Sequence, residues 1–479
     1  MKKPVFLAVA VSLTLGGCDL APAYSPPALE TPAHFKNASG LVHGQLGKNW
    51  WRAFRDAQLD RLEDDVDAAN PDLAAALAAY DSARAFVGVA ESGLFPQFEF
   101  QGAFSANKQS AHRPLRSSSQ PNHYGANQMM GAVSYEIDLW GRVRNRIASA
   151  QATSQADAYL VEQTRLALHA ELARDYIALR GLDAQAALLS RTIGVYRSAL
   201  SLTKTLVHGQ IAAPVDEQRA LVQVANVEAQ MADVAQRRAK FENAIAALTG
   251  RTASAFHIRP TRALPAEPRR PRSAPSELLL RRPDIAAQER LVYAANEDIG
   301  AAKAAFFPRL SIILSAGSQD TGFNLASLAN SAWSVGPAVS MPIFDAGLRQ
   351  AELEAARADY AGALARYKSA ALAAFREVED ALASLRWLSS EVGHLSLASG
   401  AASKAESMSF ALYRDGAASF LDVVTAQNAA LEAQRADLSA RTQLLLANVD
   451  LMLALGGGWT MPPPDPAQVV STGAINAER

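Results

Sequence analysis

The sequence predicts a mostly α-helical chain, built as two copies of one unit, that also carries four β-strands suited to a membrane. Three observations lead there: an ordered set of motifs recurs once, short segments alternate apolar and polar side chains, and between them run long stretches without proline. Each copy has the same order of elements. A helix leads to a Phe-Pro break, then a strand, a polar loop, a second strand, a long helix, a tight turn and a returning helix.

The duplication is read from spacing. Pro71-Asp72-Leu73 precedes Leu94-Phe95-Pro96 as Pro283-Asp284-Ile285 precedes Phe306-Phe307-Pro308, with Gly88 opposite Gly300. Ser134, Ile137 and Gly141 then align with Ser340, Ile343 and Gly347, Gly209 with Gly416, and Leu248-Thr249-Gly250 with Leu455-Gly456-Gly457. Chance does not readily keep three such blocks in order at an offset of about 206–212 residues. The organisation expected is a signal peptide (1–17), a Pro-rich tether (18–48), a first repeat (49–262), a Pro- and Arg-rich linker (263–275), a second repeat (276–459) and a flexible tail (460–479).

The strands show period two. Phe98, Phe100 and Phe104 oppose Gln97, Glu99 and Gln101; Met129, Val133, Tyr135 and Ile137 alternate with Ala132, Ser134 and Glu136. In the second copy Leu310, Ile312 and Leu314 alternate with Ser311 and Ser315, with Ile313 out of pattern, and Trp333, Val335, Val339 and Met341 alternate with Ser334, Gly336 and Ser340. Such alternation fits strands with one lipid-facing and one lumen-facing side. On periodicity alone an ordinary half-buried sheet fits as well. The loops are expected at 106–127, long and Ser-rich, and at 317–331.

Residues 143–206 contain no proline, enough for a helix on the order of 90 Å. Leu168, Leu172, Tyr176, Leu179, Leu182, Ala186, Leu189 and Ile193 form a heptad-like seam along it. Its return, about 214–248, opens with proline in the first turn. The second copy repeats the pair at about 347–413 and 420–455.

The N-terminus sets the compartment. Lys2 and Lys3 precede an apolar run, 5–15, too short for a permanent span. Leu15-Gly16-Gly17-Cys18 then resembles a bacterial lipobox, in which the Cys18 thiol takes the diacylglyceryl group and its amine an N-acyl chain. Cys18 is the only cysteine, so no disulfide forms within one subunit. Asp19 after it resembles an inner-membrane retention signal of enteric bacteria. No later segment reads as a transmembrane helix; the longest candidates, such as 444–455, are short and interrupted by Asp450. A crossing of the membrane therefore falls to β-strands. Four strands cannot close a barrel, since about eight only fill their own interior. The barrel must be shared, and twelve strands from three chains is the smallest arrangement expected to hold a pore.

Taken in order, Asn49-Trp50-Trp51, Tyr135-Glu136-Ile137-Asp138-Leu139-Trp140-Gly141, Leu278-Leu279-Leu280-Arg281-Arg282-Pro283-Asp284-Ile285, Phe307-Pro308, Met341-Pro342-Ile343-Phe344-Asp345-Ala346-Gly347 and Leu455-Gly456-Gly457-Gly458-Trp459 resemble the TolC-like outer-membrane efflux proteins, in their lipoprotein branch. The resemblance covers nearly the whole mature chain. It implies a homotrimer with a twelve-stranded β-barrel, four strands per subunit, continued by a long periplasmic α-helical barrel. It implies an adaptor protein, an inner-membrane transporter of the resistance-nodulation-division type, and an outer-membrane location with lipid around the strands. The channel itself would be passive.

On that resemblance the periplasmic tips are the two helix turns, with Gly209, Gln210 and Ala212 in the first and Gly416, Ala417 and Ser419 in the second as adaptor contacts. Glycine permits each turn, and Ser419 caps the next helix. A gate is expected at Leu421, Asp422, Thr425 and Asn428. Where the family often carries an Asp and an Arg this chain has Thr425 and Asn428, so a charged lock is absent. Asp216, Arg219 and Asp422 are expected to be solvated or to cap helices. Arg281, Arg282, Pro283, Asp284, Pro308 and Gly347 form the family's structural motif, with Asp284 favouring a helix N-terminus. Trp140 is expected at the barrel-to-helix junction.

The formal net charge of −1 offers no basic field for nucleic acid. The eight histidines lack metal-ligand spacing, and neither a nucleophile elbow nor a phosphate loop occurs. No enzyme and no cofactor beyond the Cys18 lipid is expected. Two other readings share parts of this pattern: a channel of a type I protein secretion system, and a lipidated periplasmic adaptor. An adaptor would show one hairpin between small β-domains, not a strand-helix repeat.

Overall fold

The computed structural model describes residues 19–37, 47–114, 117, 119–269 and 281–460. The signal peptide, Cys18, part of the tether and of the linker, the run Leu278-Leu279-Leu280 and nearly all of the tail lie outside the described residues. The helices are α1 (Ala57–Ala69), α2 (Pro71–Glu91), α3 (Arg142–His208), α4 (Pro214–Leu248), α5 (Pro283–Ala304), α6 (Leu348–Arg414) and α7 (Phe420–Ala454). The strands are β1 (Gln97–Lys108), β2 (His123–Ile137), β3 (Arg309–Asp320) and β4 (Ser331–Ser340). Two compact units form, one within Met1–Pro27, Tyr80–Ala156 and Gln288–Arg366, the other within Ala28–Ala79, Asp157–Ala287 and Tyr367–Arg479.

The first unit holds an antiparallel sheet in the order β1-β2-β3-β4, so the two repeats meet where β2 pairs with β3. The strands run further into the polar segments than expected. Asn107 pairs with Tyr124, Lys108 with His123, and β3 continues to Asp320. The expected loops at 106–127 and 317–331 are therefore too long. Ladder hydrogen bonds join backbone to backbone, and polar side chains do not interrupt them. Each long helix opens on an aspartate. Asp138 accepts from the amides of Val143 (3.1 Å) and Arg144 (3.0 Å), and Asp345 from those of Gly347 (3.1 Å) and Arg349 (3.4 Å).

The second unit is built of helices. The α3 seam is its core: Leu172, Tyr176, Leu179 and Leu189 are fully buried. Leu182, Leu188, Leu189 and Tyr196 pack with Val224, Val227 and Val234 of α4 and Leu431 of α7. Trp50 and Trp51 are buried, and Trp51 stacks on His169 with ring centroids 4.3 Å apart. Arg180 and Arg238 both pair with the buried Asp183 (2.8 and 2.6 Å) and donate to the carbonyls of Arg259 and Ile258. They pin the segment after α4 to its own hairpin.

One helix meets, by length and composition only, a test for a span that no segment was expected to pass. The stretch Pro71–Leu94 is by length and composition sufficient to cross a membrane, with a mean hydropathy of 1.3 over an 18-residue window. Alanine carries that score: it counts as apolar while presenting little area, so the run in 73–79 passes where a bulkier core helix would be read by its leucines. Length and composition alone are weak grounds for a span, since core helices pass the same test.

Candidate channel wall, helical tips and motif contacts

In the sheet, register joins the apolar positions of both repeats into rows. Phe98 lies opposite Val133, Val133 opposite Leu314, and Leu314 opposite Val335. The next row is Phe100, Gly131, Ala316 and Trp333. Phe98 is 73% exposed and Trp333 74%. Rows between them carry Glu99, Ala132, Ser315 and Ser334, or Gln97, Ser134, Ile313 and Gly336. One face is thus apolar and bare through these rows, giving way to Ser318, Ser331, Asn127 and Asp320 at its far end, and the other is small and polar with Met130 and Ile313 as its exceptions. The outer edges of β1 and β4 have no partner strand among the described residues. Exposed apolar rows with open edges are what a shared membrane sheet presents before its neighbours are added. Trp140 sits at the strand-to-helix junction, stacked on Phe307 at 4.6 Å, and donates to the carbonyl of Pro308 at 2.8 Å.

In the helical unit the two tips close by the same bonds. The amide of Ile211 reaches back to the carbonyl of Leu206 and that of Ala417 to Leu412, both at 2.8 Å. The left-handed residue differs from expectation. At the second tip it is Gly416 (φ +80°), but at the first it is Gln210 (φ +58°), so Gln210, not Gly209, is the counterpart of Gly416. A glutamine holds that backbone at a modest steric cost. Gly209, Gln210, Gly416, Ala417 and Ser419 are exposed and Ala212 half-buried. Behind them Tyr413 and Phe420 pack at 5.3 Å with Ala220 and Val423, and the hydroxyls of Thr203 and Tyr413 meet at 3.4 Å.

Ser419 makes a full capping box with Asp422, which holds the Asp422 carboxyl below the usual carboxylate range. Asp216 pairs with Arg219 one turn on, at 3.1 Å. Leu421, Thr425 and Asn428 share one exposed face of α7, while Phe420, Val423, Gln427 and Ala430 face inward. The Thr425 hydroxyl bonds the Leu421 carbonyl of its own helix at 2.9 Å, leaving this stripe uncharged.

The motif residues join helix ends. Arg282 is 7% exposed; it pairs with Asp284 (2.7 Å) and Glu377 (2.6 Å) and donates to the carbonyl of Ala454 at the end of α7 (3.2 Å). Its repeat counterpart, Asn70, donates to the carbonyl of Leu248 at the end of α4 (2.8 Å) and caps α2 through the amides of Asp72 and Leu73. The glycines behave alike. A Cβ on Gly250 (φ +67°) would lie 2.4 Å from the carbonyl oxygen of Ala69, and one on Gly456 (φ +83°) 1.9 Å from that of Arg281. Pro283 starts α5, and Gly347 (φ +87°) makes the turn into α6. Asn70 was not singled out from sequence, and Gln210 only as a tip residue, not as the one with left-handed backbone. Their repeat position was the signal that would have found them. Among the described residues, no group of three or more His, Cys, Asp or Glu is placed to hold a metal ion.

Comparison with known proteins agrees with this geometry. The family model described as "Outer membrane efflux protein" matches residues 62–251 and 274–457. The chain is 32% identical over 473 residues to outer membrane protein OprJ of Pseudomonas aeruginosa, covering 96% of this chain and 97% of that one. It is 30% identical over 460 residues to the solvent efflux pump outer membrane protein SrpC of Pseudomonas putida, covering 94% and 97%. Among solved structures, the outer-membrane channel OprN superposes with a TM-score of 0.86 at 29% identity, covering 92% of this chain and all of that one.

Proposed function

The chain belongs to the outer membrane efflux protein family, and from that premise we propose that three copies share one twelve-stranded barrel and form a passive conduit for small toxic solutes. Its place is the outer membrane, where it serves as the channel of an efflux pump. The observation that supports the shared barrel is the sheet itself. Four strands carry unbroken apolar rows and end in two bare edges, and each unpaired backbone group left in lipid would cost several kcal/mol.

The remaining parts of the reading follow from residues. The uncharged stripe Leu421, Thr425 and Asn428 narrows the closed end by apolar and neutral side chains rather than by ion pairs. The exposed tip residues Gly209, Gln210, Gly416, Ala417 and Ser419, with the half-buried Ala212, receive a periplasmic adaptor. That adaptor links the channel to an inner-membrane transporter of the resistance-nodulation-division type, which supplies the energy. Docking shifts the population of the tips from closed to open. Cys18 carries diacylglyceryl and N-acyl chains, and the mass of the N-terminal peptide tests this. Deleting the gene in a strain that expresses the pump raises sensitivity to small toxic compounds; unchanged sensitivity across a broad panel would refute the cargo class.

A further inference from the structure

The N-terminal tether, which composition reads as a free linker, is seated along one face of α5. The Tyr24 hydroxyl donates to Glu289 Oε1 at 2.6 Å, and its ring meets Tyr293 edge-on at 5.0 Å. Asn296 donates to the carbonyl of Pro22 at 2.9 Å, and Lys303 to that of Leu20 at 3.2 Å. On the same face a Cβ on Gly300 would lie 2.2 Å from Asn145 Nδ2 of α3 and 2.8 Å from the Cα and Cβ of Ala21, so the glycine admits both the neighbouring helix and the tether. Residues 289, 293, 296, 300 and 303 step by four, three, four and three, so they form one stripe.

The repeat supplies a control within the molecule. The corresponding stripe of α2 carries Asp81, Arg84, Gly88 and Glu91, and nothing lies within 4 Å of a Cβ placed on Gly88. There Arg84 pairs with Asp81 on the surface. Both copies keep the glycine, but among the described residues a seated tether and the side chains that donate to its backbone occur in one copy only. The difference is not inherited from the duplicated unit.

We propose that residues 19–24 are a clasp whose seat on α5 fixes where the lipid-bearing N-terminus leaves the protein, beside the strands of its own subunit. The proposal rests on the reading of Cys18 as lipidated. Lys303 precedes β3 by six residues, so the clasped Leu20 is held at the sheet end of α5. Without the clasp, the roughly sixteen residues between Cys18 and Phe35, where the tether is buried and the Lys36 amide donates to Glu379 at 2.7 Å, would behave as a coil with an end-to-end distance of about 22 Å. The anchor would then wander over more than the width of the sheet it serves. With it, the free span between anchor and fold shrinks to about one residue, and acyl chains and strands reach the membrane at one place.

Two experiments on the full-length protein test this. The first follows chymotryptic cleavage after Tyr24 by mass spectrometry. Asn296→Ala should be cut about threefold to tenfold faster than the unmodified chain, the effect of one lost hydrogen bond on the opened population, and Gly300→Leu faster still. Equal rates in all three would overturn the seating. If Gly300→Leu fails to fold, Asn296→Ala and Lys303→Ala carry the test. The second compares a Gly/Ser spacer placed between Asp19 and Leu20, which keeps Asp19 beside Cys18, with the same spacer between Pro27 and Ala28, reading the yield of heat-modifiable outer-membrane protein. Only the first spacer, which frees the anchor upstream of the clasped Leu20, should lower the yield. Equal yields would overturn the anchoring role. Absence of the acyl mass on Cys18 would refute the lipid reading by itself; unchanged cleavage rates in a chain that carries it would refute the clasp.

Discussion

Gly456→Ala perturbs the helix-end contact most sharply, and Gly416→Ala is its control. Both glycines have left-handed backbone, φ +83° and +80°. A Cβ on Gly456 would lie 1.9 Å from the Arg281 carbonyl oxygen, whereas nothing lies within 4 Å of one on Gly416. The two substitutions share a conformational penalty of about 1–2 kcal/mol and differ in the collision. A backbone carbonyl cannot rotate away as a side chain can, so the end of α7 must lift off residue 281. The bond from Arg282 to the Ala454 carbonyl is then lost, about 1.5–3 kcal/mol for a charged donor. Gly456→Ala should destabilise by about 3–5 kcal/mol and Gly416→Ala by about 1–2 kcal/mol. Guanidinium unfolding of both variants in one detergent, followed by helical circular dichroism, measures the difference. Equal losses would refute the contact as described.

Asn70→Ala should destabilise by about 1–3 kcal/mol, since it removes a helix cap and the bond to the Leu248 carbonyl together; a loss no larger than that of an exposed Asn→Ala change would contradict this. Burial, with Asp19 and Asp298 adding to it, pushes the Glu297 carboxyl up to about 7. A carboxyl raised from 4.5 binds its proton more tightly in the folded state, so its contribution is complete below pH 4.5 and is lost as pH rises through 7. Unfolding at pH 5 and pH 8.5 should differ by up to about 3 kcal/mol from this group, and Glu297→Gln should flatten that part of the profile; an unchanged profile would contradict the assignment. Leu421→Ser should raise the conductance of the purified channel in planar bilayers without adaptor; an unaltered conductance would remove Leu421 from the gate.

The sheet and the helices were legible because their periods are carried by side chains. Phe98, Val133, Leu314 and Val335 could be placed on one face from alternation alone, and register then put them in one row. Pro214 and Ser419 marked helix starts for reasons of backbone geometry and capping. What was not legible depends on backbone carbonyls, which look the same at every residue. The clasp of Tyr24, Asn296 and Lys303, the bonds of Asn70 and Arg282 to helix ends, and the pressure of Gly456 on residue 281 all belong to this class. The first tip misled for a related reason. A glycine stood one position away from the left-handed residue, and Gln210 took the strained backbone instead. Of the expected gate residues, alignment on one helix face followed from their spacing, whereas the tie of Asp422 into the cap needed coordinates.

The shared barrel is the central claim, and native mass spectrometry of the protein extracted from outer membranes tests it most directly. The account predicts a particle of three chains that dissociates to monomers only on heating. A folded, membrane-inserted monomer with its β1 and β4 edges protected from exchange would contradict it.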